Sequence, residues 1–216
     1  GSGVLGKVDY VVGNLPYSVA AADLNGDGKA DLFTSNRNSS TVSVLMNNGD
    51  GSLAAKVDYD VGSSPYAAVA ADLDGDGDRD IACANNGGNV SVLMNNGNGT
   101  FAADVTYSVG SGPYSVVAAD LDGDGDIDLA TANGSGDNVS VLMNNGNGTF
   151  AAKVNYATSA SPRGITAADL NGDGKLALVA ANDNGSNVSV LKNNGTGTFA
   201  AKVNYATDTL PYTVAA

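Results

Sequence analysis

The chain has 216 residues, with 23 acidic side chains against 10 basic ones and a net charge of −13; every acid is Asp, and there is no Glu or His. That balance argues against a nucleic-acid partner, whose phosphates need Lys and Arg opposite them, and the missing Glu and His argue against helices and against the usual acid–base catalyst. One cysteine, Cys83, excludes an intrachain disulfide, and no apolar run approaches the roughly 18 residues of a membrane span.

The chain starts Gly1-Ser2-Gly3, which reads as an appended remnant or an already processed end, so the lack of a visible signal peptide says little about export. Residues 1–15 read as the outer strand of a partial unit. A Pro-led apolar segment then begins at Pro16 and returns at Pro65, Pro113, Pro162 and Pro211, in steps of 49, 48, 49 and 49 residues. A period this constant is one structural unit copied in series. The complete units are 16–64, 65–112, 113–161 and 162–210, and 211–216 reads as the inner strand of a further partial one.

Each unit predicts four short strands, illustrated by the second. Pro65–Ala71 is apolar and small almost throughout and is expected to be buried on both faces. Ile81–Asn85 is a second apolar strand, with Cys83 as a small core residue. Asn89–Asn95 alternates at first and is a third. The turn Asn96-Gly97-Asn98-Gly99 leads through Phe101 to a fourth strand, Ala103–Val109. Lys56, Asp58, Asp60, Lys153 and Lys202 place charge on that last strand, as suits an exposed sheet edge. The fold class predicted is all-β: a β-propeller, or part of one, with four-stranded antiparallel blades. A stacked solenoid is the alternative, but its repeats are usually shorter. The matching ends, Lys7–Tyr10 with Pro16 and Lys202–Tyr205 with Pro211, suggest a piece of a longer propeller or a homo-oligomer completed by its neighbours.

Between the first two strands of each unit lies an acidic loop. The four supply Asp23, Asn25, Asp27, Lys29 and Asp31; Asp72, Asp74, Asp76, Asp78 and Asp80; Asp120, Asp122, Asp124, Asp126 and Asp128; and Asp169, Asn171, Asp173 and Lys175, with Ala177 at the last place. Side-chain oxygens stand at positions one, three, five and nine, glycines at four and six, and a backbone carbonyl is available at seven, the place of Lys29 and Lys175. Ca²⁺ takes six to eight hard oxygen ligands, and glycine permits the positive-φ turns that aim successive ligands inward. A helix–loop–helix calcium hand is ruled out, because it needs a twelve-residue loop closed by Glu.

The motif Asp-x-Asn/Asp-Gly-Asp-Gly-x-x-Asp, with the Asn-Gly-x-Gly-Thr-Phe turns at Asn98–Phe101 and Asn147–Phe150 and the variant Thr196–Phe199, resembles the FG-GAP/VCBS-type repeats of bacterial extracellular proteins. These are related to the calcium-bearing blades of the integrin α-subunit head. The resemblance implies a secreted or cell-surface propeller whose metal loop joins the first and second strands of each blade. Loops two and three are expected to bind best, then loop one with Asn25. Loop four, with Asn171 and Ala177, is expected to be weak or empty. Ca²⁺ is expected mainly to brace the fold, at weak sites on the order of 10⁻⁴–10⁻³ M.

Tyr17, Tyr66, Tyr114 and Tyr212 follow the repeat Pro, with Arg163 in the fourth unit. They read either as a ligand surface for sugars or another extracellular partner, or as packing between blades, the latter favoured. Tyr10, Tyr59, Tyr107, Tyr156 and Tyr205 read as core-facing. Asn-x-Ser/Thr matches such as Asn89-Val90-Ser91 allow glycosylation in a suitable host but follow from the repeat itself. No nucleophile has a base beside it, and the carboxylates are committed to the loops. The sequence therefore predicts a non-enzymatic binding or structural module, with a lectin and a self-assembling subunit as alternatives.

Overall fold

The structure, a computed structural model, describes residues 7–215. They form sixteen strands and no helix. Each repeat makes its own sheet: β1 (Pro16–Ala22), β2 (Asp31–Asn36), β3 (Thr41–Leu45) and β4 (Val57–Asp60); β5 (Pro65–Ala71), β6 (Asp80–Asn85), β7 (Asn89–Leu93) and β8 (Val105–Ser108); β9 (Pro113–Ala119), β10 (Asp128–Asn133), β11 (Asn138–Leu142) and β12 (Val154–Ala157); β13 (Pro162–Ala168), β14 (Ala177–Asn182), β15 (Asn187–Leu191) and β16 (Val203–Ala206). Each sheet is an antiparallel meander in chain order. The first strands of successive sheets lie side by side, β1 on β5, β5 on β9 and β9 on β13, so the sheets stand as propeller blades around an axis.

The expected strands are present with small differences. The third strand of the second blade ends at Leu93, not Asn95, because Asn95 leaves the ladder for the role described below. The fourth is trimmed to Val105–Ser108. One expectation fails: the first strand of the second blade is only half-buried, and the wholly buried strands are β3, β6, β10 and β14. The reason is position, since a first strand has a ladder partner on one side only.

Alternation along each strand sends residues to opposite neighbours, with period two. Ile81 and Cys83 join Leu24, Phe33, Val42 and Val44 between blades one and two. Ala82 and Ala84 join Val116, Leu129 and Phe150 between blades two and three. A third such core, with Leu121, Ile165, Leu178 and Phe199, lies between blades three and four. Tyr59, Tyr107 and Tyr156 meet Phe101, Phe150 and Phe199 of the following blade edge-on, with ring centres 5.2–5.3 Å apart. A buried polar seam accompanies the apolar one. The Ser140 hydroxyl accepts from Gly110 N, at the end of the preceding blade, and from Asn133 Nδ2, and donates to Asn155.

The flanking segments 7–15 and 211–215 form no ladder. They pack on the end blades instead. Tyr10 accepts at its hydroxyl from Leu53 N at 3.0 Å, and Gly13 N donates to Ser43 Oγ as Gly62 N does to Ser91 Oγ. At the other end the chain passes so close to Gly164 that a Cβ there would lie 2.9 Å from Thr213 Cα. Residues 1–6 and 216 of the two expected partial strands lie outside the described residues.

Candidate metal centres

The loop between β5 and β6 shows how the sequence builds a candidate cation cradle. Gly75 and Gly77 take φ of 80° and 95°, which only glycine adopts without strain. Asp72 folds the loop over itself: its carboxylate accepts from Gly75 N at 2.8 Å and Gly77 N at 3.0 Å. Asp74 accepts from Asp76 N, and Asp76 from Asp78 N. Asp80 closes the loop from the start of β6, almost wholly buried. One of its oxygens accepts from Leu73 N at 2.9 Å and the other from Asn95 N at 2.8 Å.

Carboxylate oxygens of Asp72, Asp74 and Asp80 lie within 4.8 Å of one another, as do those of Asp120, Asp122 and Asp124 in the third blade. Among the described residues these are the two acidic groups of three so closely gathered. Like charges packed together in partly desolvated surroundings disfavour ionisation. Burial, and then the neighbouring carboxylates, push Asp74 and Asp122 above the ordinary carboxylate range. Burial pushes Asp80 and Asp128 up to about 6, against the backbone amides that favour their charged forms. A divalent cation would relieve that repulsion, and the donors are all hard oxygens. The residues present therefore fit Ca²⁺ in both loops.

The outer loops differ as their sequences do. In the first, Asn25 replaces one carboxylate, and the Lys29 ammonium lies 3.2 Å from Asp27. Backbone and side-chain bonds from Lys29 hold Asp27 below the usual range. Asp31 still bonds Leu24 N and Asn47 N. In the fourth, Asp169 folds the loop through Gly172 N and Gly174 N, Asn171 Nδ2 donates to Asp173, and Lys175 turns away to the carbonyl of Asn194. Ala177 leaves that loop without its buried closing carboxylate.

Sequence reading missed a residue that ties the loops together. Asn95 Nδ2 donates both to the carbonyl of Arg79 in its own blade and to that of Leu24 in the loop of the blade before, at 2.9 and 2.7 Å. Its side-chain oxygen accepts from Gly97 N and Gly99 N. Asn144 and Asn193 repeat the clasp on Leu73 and Leu121. The recurring Leu-Met-Asn-Asn-Gly was the available signal, and its first Asn reads as turn chemistry until its distant partner is seen.

The tyrosines after the repeat Pro meet at the axis. Ring centres of Tyr17 and Tyr66 are 4.3 Å apart, and those of Tyr66 and Tyr114 are 4.8 Å apart. Arg163 lies over Tyr114 at 4.4 Å and over Tyr212 at 5.1 Å, paired with Asp183. A Tyr212–Tyr17 hydroxyl contact of 3.0 Å closes the circuit. That bond and partial burial push Tyr17 up to about 12.

The four repeats match the FG-GAP-like repeat at residues 23–83, 72–131, 120–180 and 169–216. The chain belongs to the FG-GAP-like repeat family. Two solved structures share the propeller arrangement of this FG-GAP-like protein. One is a lectin from Agrocybe aegerita that recognises non-reducing terminal N-acetylglucosamine. It is 26% identical with a TM-score of 0.59, and the match covers 85% of this chain and 50% of the lectin. The other is a putative 6-phosphogluconolactonase from Bacteroides fragilis, 18% identical with a TM-score of 0.65 over 90% of this chain and 56% of that one. At that identity the second likeness shows the fold alone. The FG-GAP-like chain thus spans about half the length of either structure. Among curated proteins none matches it significantly.

Proposed function

We propose that this chain is a calcium-binding propeller module that works outside the cell by binding or scaffolding rather than by catalysis. The gathering of Asp72, Asp74 and Asp80 within 4.8 Å, on a loop whose backbone amides already orient them, carries the reading. Repetition of that loop at every blade favours a bracing role for the ion over a sensing one, since a sensor needs a two-state element for the ion to bias. Family membership supports an extracellular setting, where calcium is abundant enough for weak sites. Ca²⁺ binding only the folded state would stabilise it by about 1.4 kcal/mol per site at ten times the dissociation constant. A thermal melt across a Ca²⁺ series, with an EDTA control, tests this. A saturable rise in melting temperature is expected, and a melt indifferent to both additions would overturn the reading.

A second reading is a lectin. The Agrocybe aegerita structure supports it, and so do the half-exposed rings of Tyr17 and Tyr212, which offer stacking faces and hydroxyls. A glycan array at saturating Ca²⁺ separates the two, because a pure scaffold gives no hits.

A further inference from the structure

One place in the repeat, just before the fourth strand, is lysine in three blades and aspartate in one: Lys56, Asp104, Lys153 and Lys202. In blades three and four that lysine bonds across the junction to the blade before. Lys153 Nζ donates to the carbonyl of Val109, and Lys202 Nζ to that of Thr158. Val109 and Thr158, beneath the two ammonium groups, are each 4% exposed. The matching residue of blade one is Val61. Its N–H donates to the Ser40 carbonyl as those of Val109 and Thr158 donate to Gly88 and Asp137. By the same geometry Asp104 faces Val61, so the junction of blades one and two lacks the ammonium that the next two junctions contain. Val61 is accordingly only half-buried. Among the described residues no hydrogen bond from another loop or side chain reaches its carbonyl.

The same junction departs from the others in charge. Blade one presents Asp58 and Asp60 on β4, where blade two has Thr106 and Ser108 and blade three has Asn155 and Ala157. Asp58 is satisfied, since it accepts from Ser43 Oγ and pairs with Lys56. Asp60 and Asp104 have no ion pair among the described residues. Asp104 Oδ2 accepts from Ser91 Oγ at 2.9 Å, while its Oδ1 is buried without a hydrogen-bond partner. Burial holds Asp104 above the ordinary carboxylate range, as befits a carboxylate short of a cation. Between the blades lies a cleft of about 240 Å³, with Asp60 and Asp104 on its acidic side and Phe101, Ala102 and Ala103 on its apolar side. Its carboxylates are not gathered as those of the second and third loops are, so a bare metal ion is a poor match. An ammonium on an apolar stem is a good one, because its three N–H groups and its methylenes each find a counterpart.

We propose that the cleft between blades one and two docks a lysine side chain of a partner protein, in the place that Lys153 and Lys202 fill from within the chain at the next two junctions. The Val61 carbonyl and Asp104 hold the ammonium, Asp60 adds charge at the rim, and Phe101, Ala102 and Ala103 carry the stem. Asp104 is half-buried as a whole and lines the cleft, so an incoming group can reach its carboxylate. The net charge of −13 favours the approach of a basic surface over long range. The site shares no residue with the acidic loops and does not rest on calcium.

Two-dimensional NMR of the full chain in Ca²⁺, titrated with Nα-acetyl-lysine methylamide, tests this. Saturable shifts are expected at the Val61 and Asp104 amides, weakening with salt. The Nε-acetylated form of the probe, which has no charge, should give little or none. Asp104→Lys supplies the ammonium from within, as Lys153 does in blade three. It should raise the melting temperature and weaken probe binding by about tenfold or more. Asp104→Asn keeps an acceptor for Ser91 and should weaken binding without that rise. A wild-type chain that shows no saturable shift would mean that Asp104 closes the junction itself, as a carboxylic acid on the Val61 carbonyl, and would overturn the proposal. Equal shifts from both probes would overturn it too, as would binding that survives Asp104→Lys. The melt under Proposed function reads the loops alone, so failure of either reading leaves the other standing.

Discussion

Asn95 and Leu24 stand 71 residues apart in the chain, yet the Asn95 amide donates to the Leu24 carbonyl at 2.7 Å. The same side chain bonds the carbonyl of Arg79, so one buried amide joins two successive acidic loops. Asn95→Ala should orphan buried carbonyls at about 1–3 kcal/mol, lowering the melting temperature by several degrees. Among the described residues Asn47 Nδ2 bonds only its own blade, at Ala30, so Asn47→Ala should cost less. Paired thermal melts of the two variants check the difference.

The carboxylates of the second loop should separate by role. Asp74→Asn recreates the donor set of loop one and keeps an oxygen for Asp76 N. It should leave the EDTA melt nearly unchanged and weaken calcium binding. Asp80→Ala should lower the melt even in EDTA, by about 3 kcal/mol, because Leu73 N and Asn95 N lose their acceptor. Calorimetric titration beside the melts reads both effects.

Loop four invites a gain of function. Ala177→Asp would supply the carboxylate that Asp128 supplies to Leu121 N and Asn144 N in the third blade. The expected outcome is one additional calcium per chain by isothermal titration. An unchanged stoichiometry would show that Asn171 and Lys175 also disable the loop.

Acidity should act differently with and without calcium. Asp80 and Asp128 are held at about 6 in the fold, above the ordinary 3.8, so the folded chain keeps protons that the unfolded chain has released. Their contribution to stability is therefore favourable at low pH and is lost as pH rises from about 4 through 6. In EDTA the melting temperature should fall across that window, opposed at its acid end by Asp27 and Asp169, whose values are depressed. The increment given by Ca²⁺ should grow over the same window, as protons stop competing. Melts at pH 5 and 7, each with Ca²⁺ and with EDTA, make the comparison.

Two glycines of like φ should tolerate alanine differently. Gly123 (φ 84°) has nothing within 4 Å of a new Cβ, so Gly123→Ala carries only backbone strain. At Gly148 (φ 71°) the Met94 methyl would lie 1.8 Å away. Gly148→Ala should be the more destabilising, and Met94→Ala in the same chain should recover part of the difference.

Much of this architecture was legible because it repeats. The Pro period marked out four sheets, and the glycine-spaced Asp runs marked the loops between first and second strands. Burial was harder to read. Small apolar residues at Pro65–Ala71 suggested an interior strand, but the ladder position leaves it half-exposed. The Asn95 clasp escaped because its partner is a backbone carbonyl in another repeat, which no local pattern encodes.

Cys83 gives the molecule a built-in clock. It is the chain's one thiol, fully buried between the first and second blades, and burial raises it far above the normal thiol range. A thiol reagent can reach it only when those two blades part, so its labelling rate under native conditions times their separation without any engineered probe.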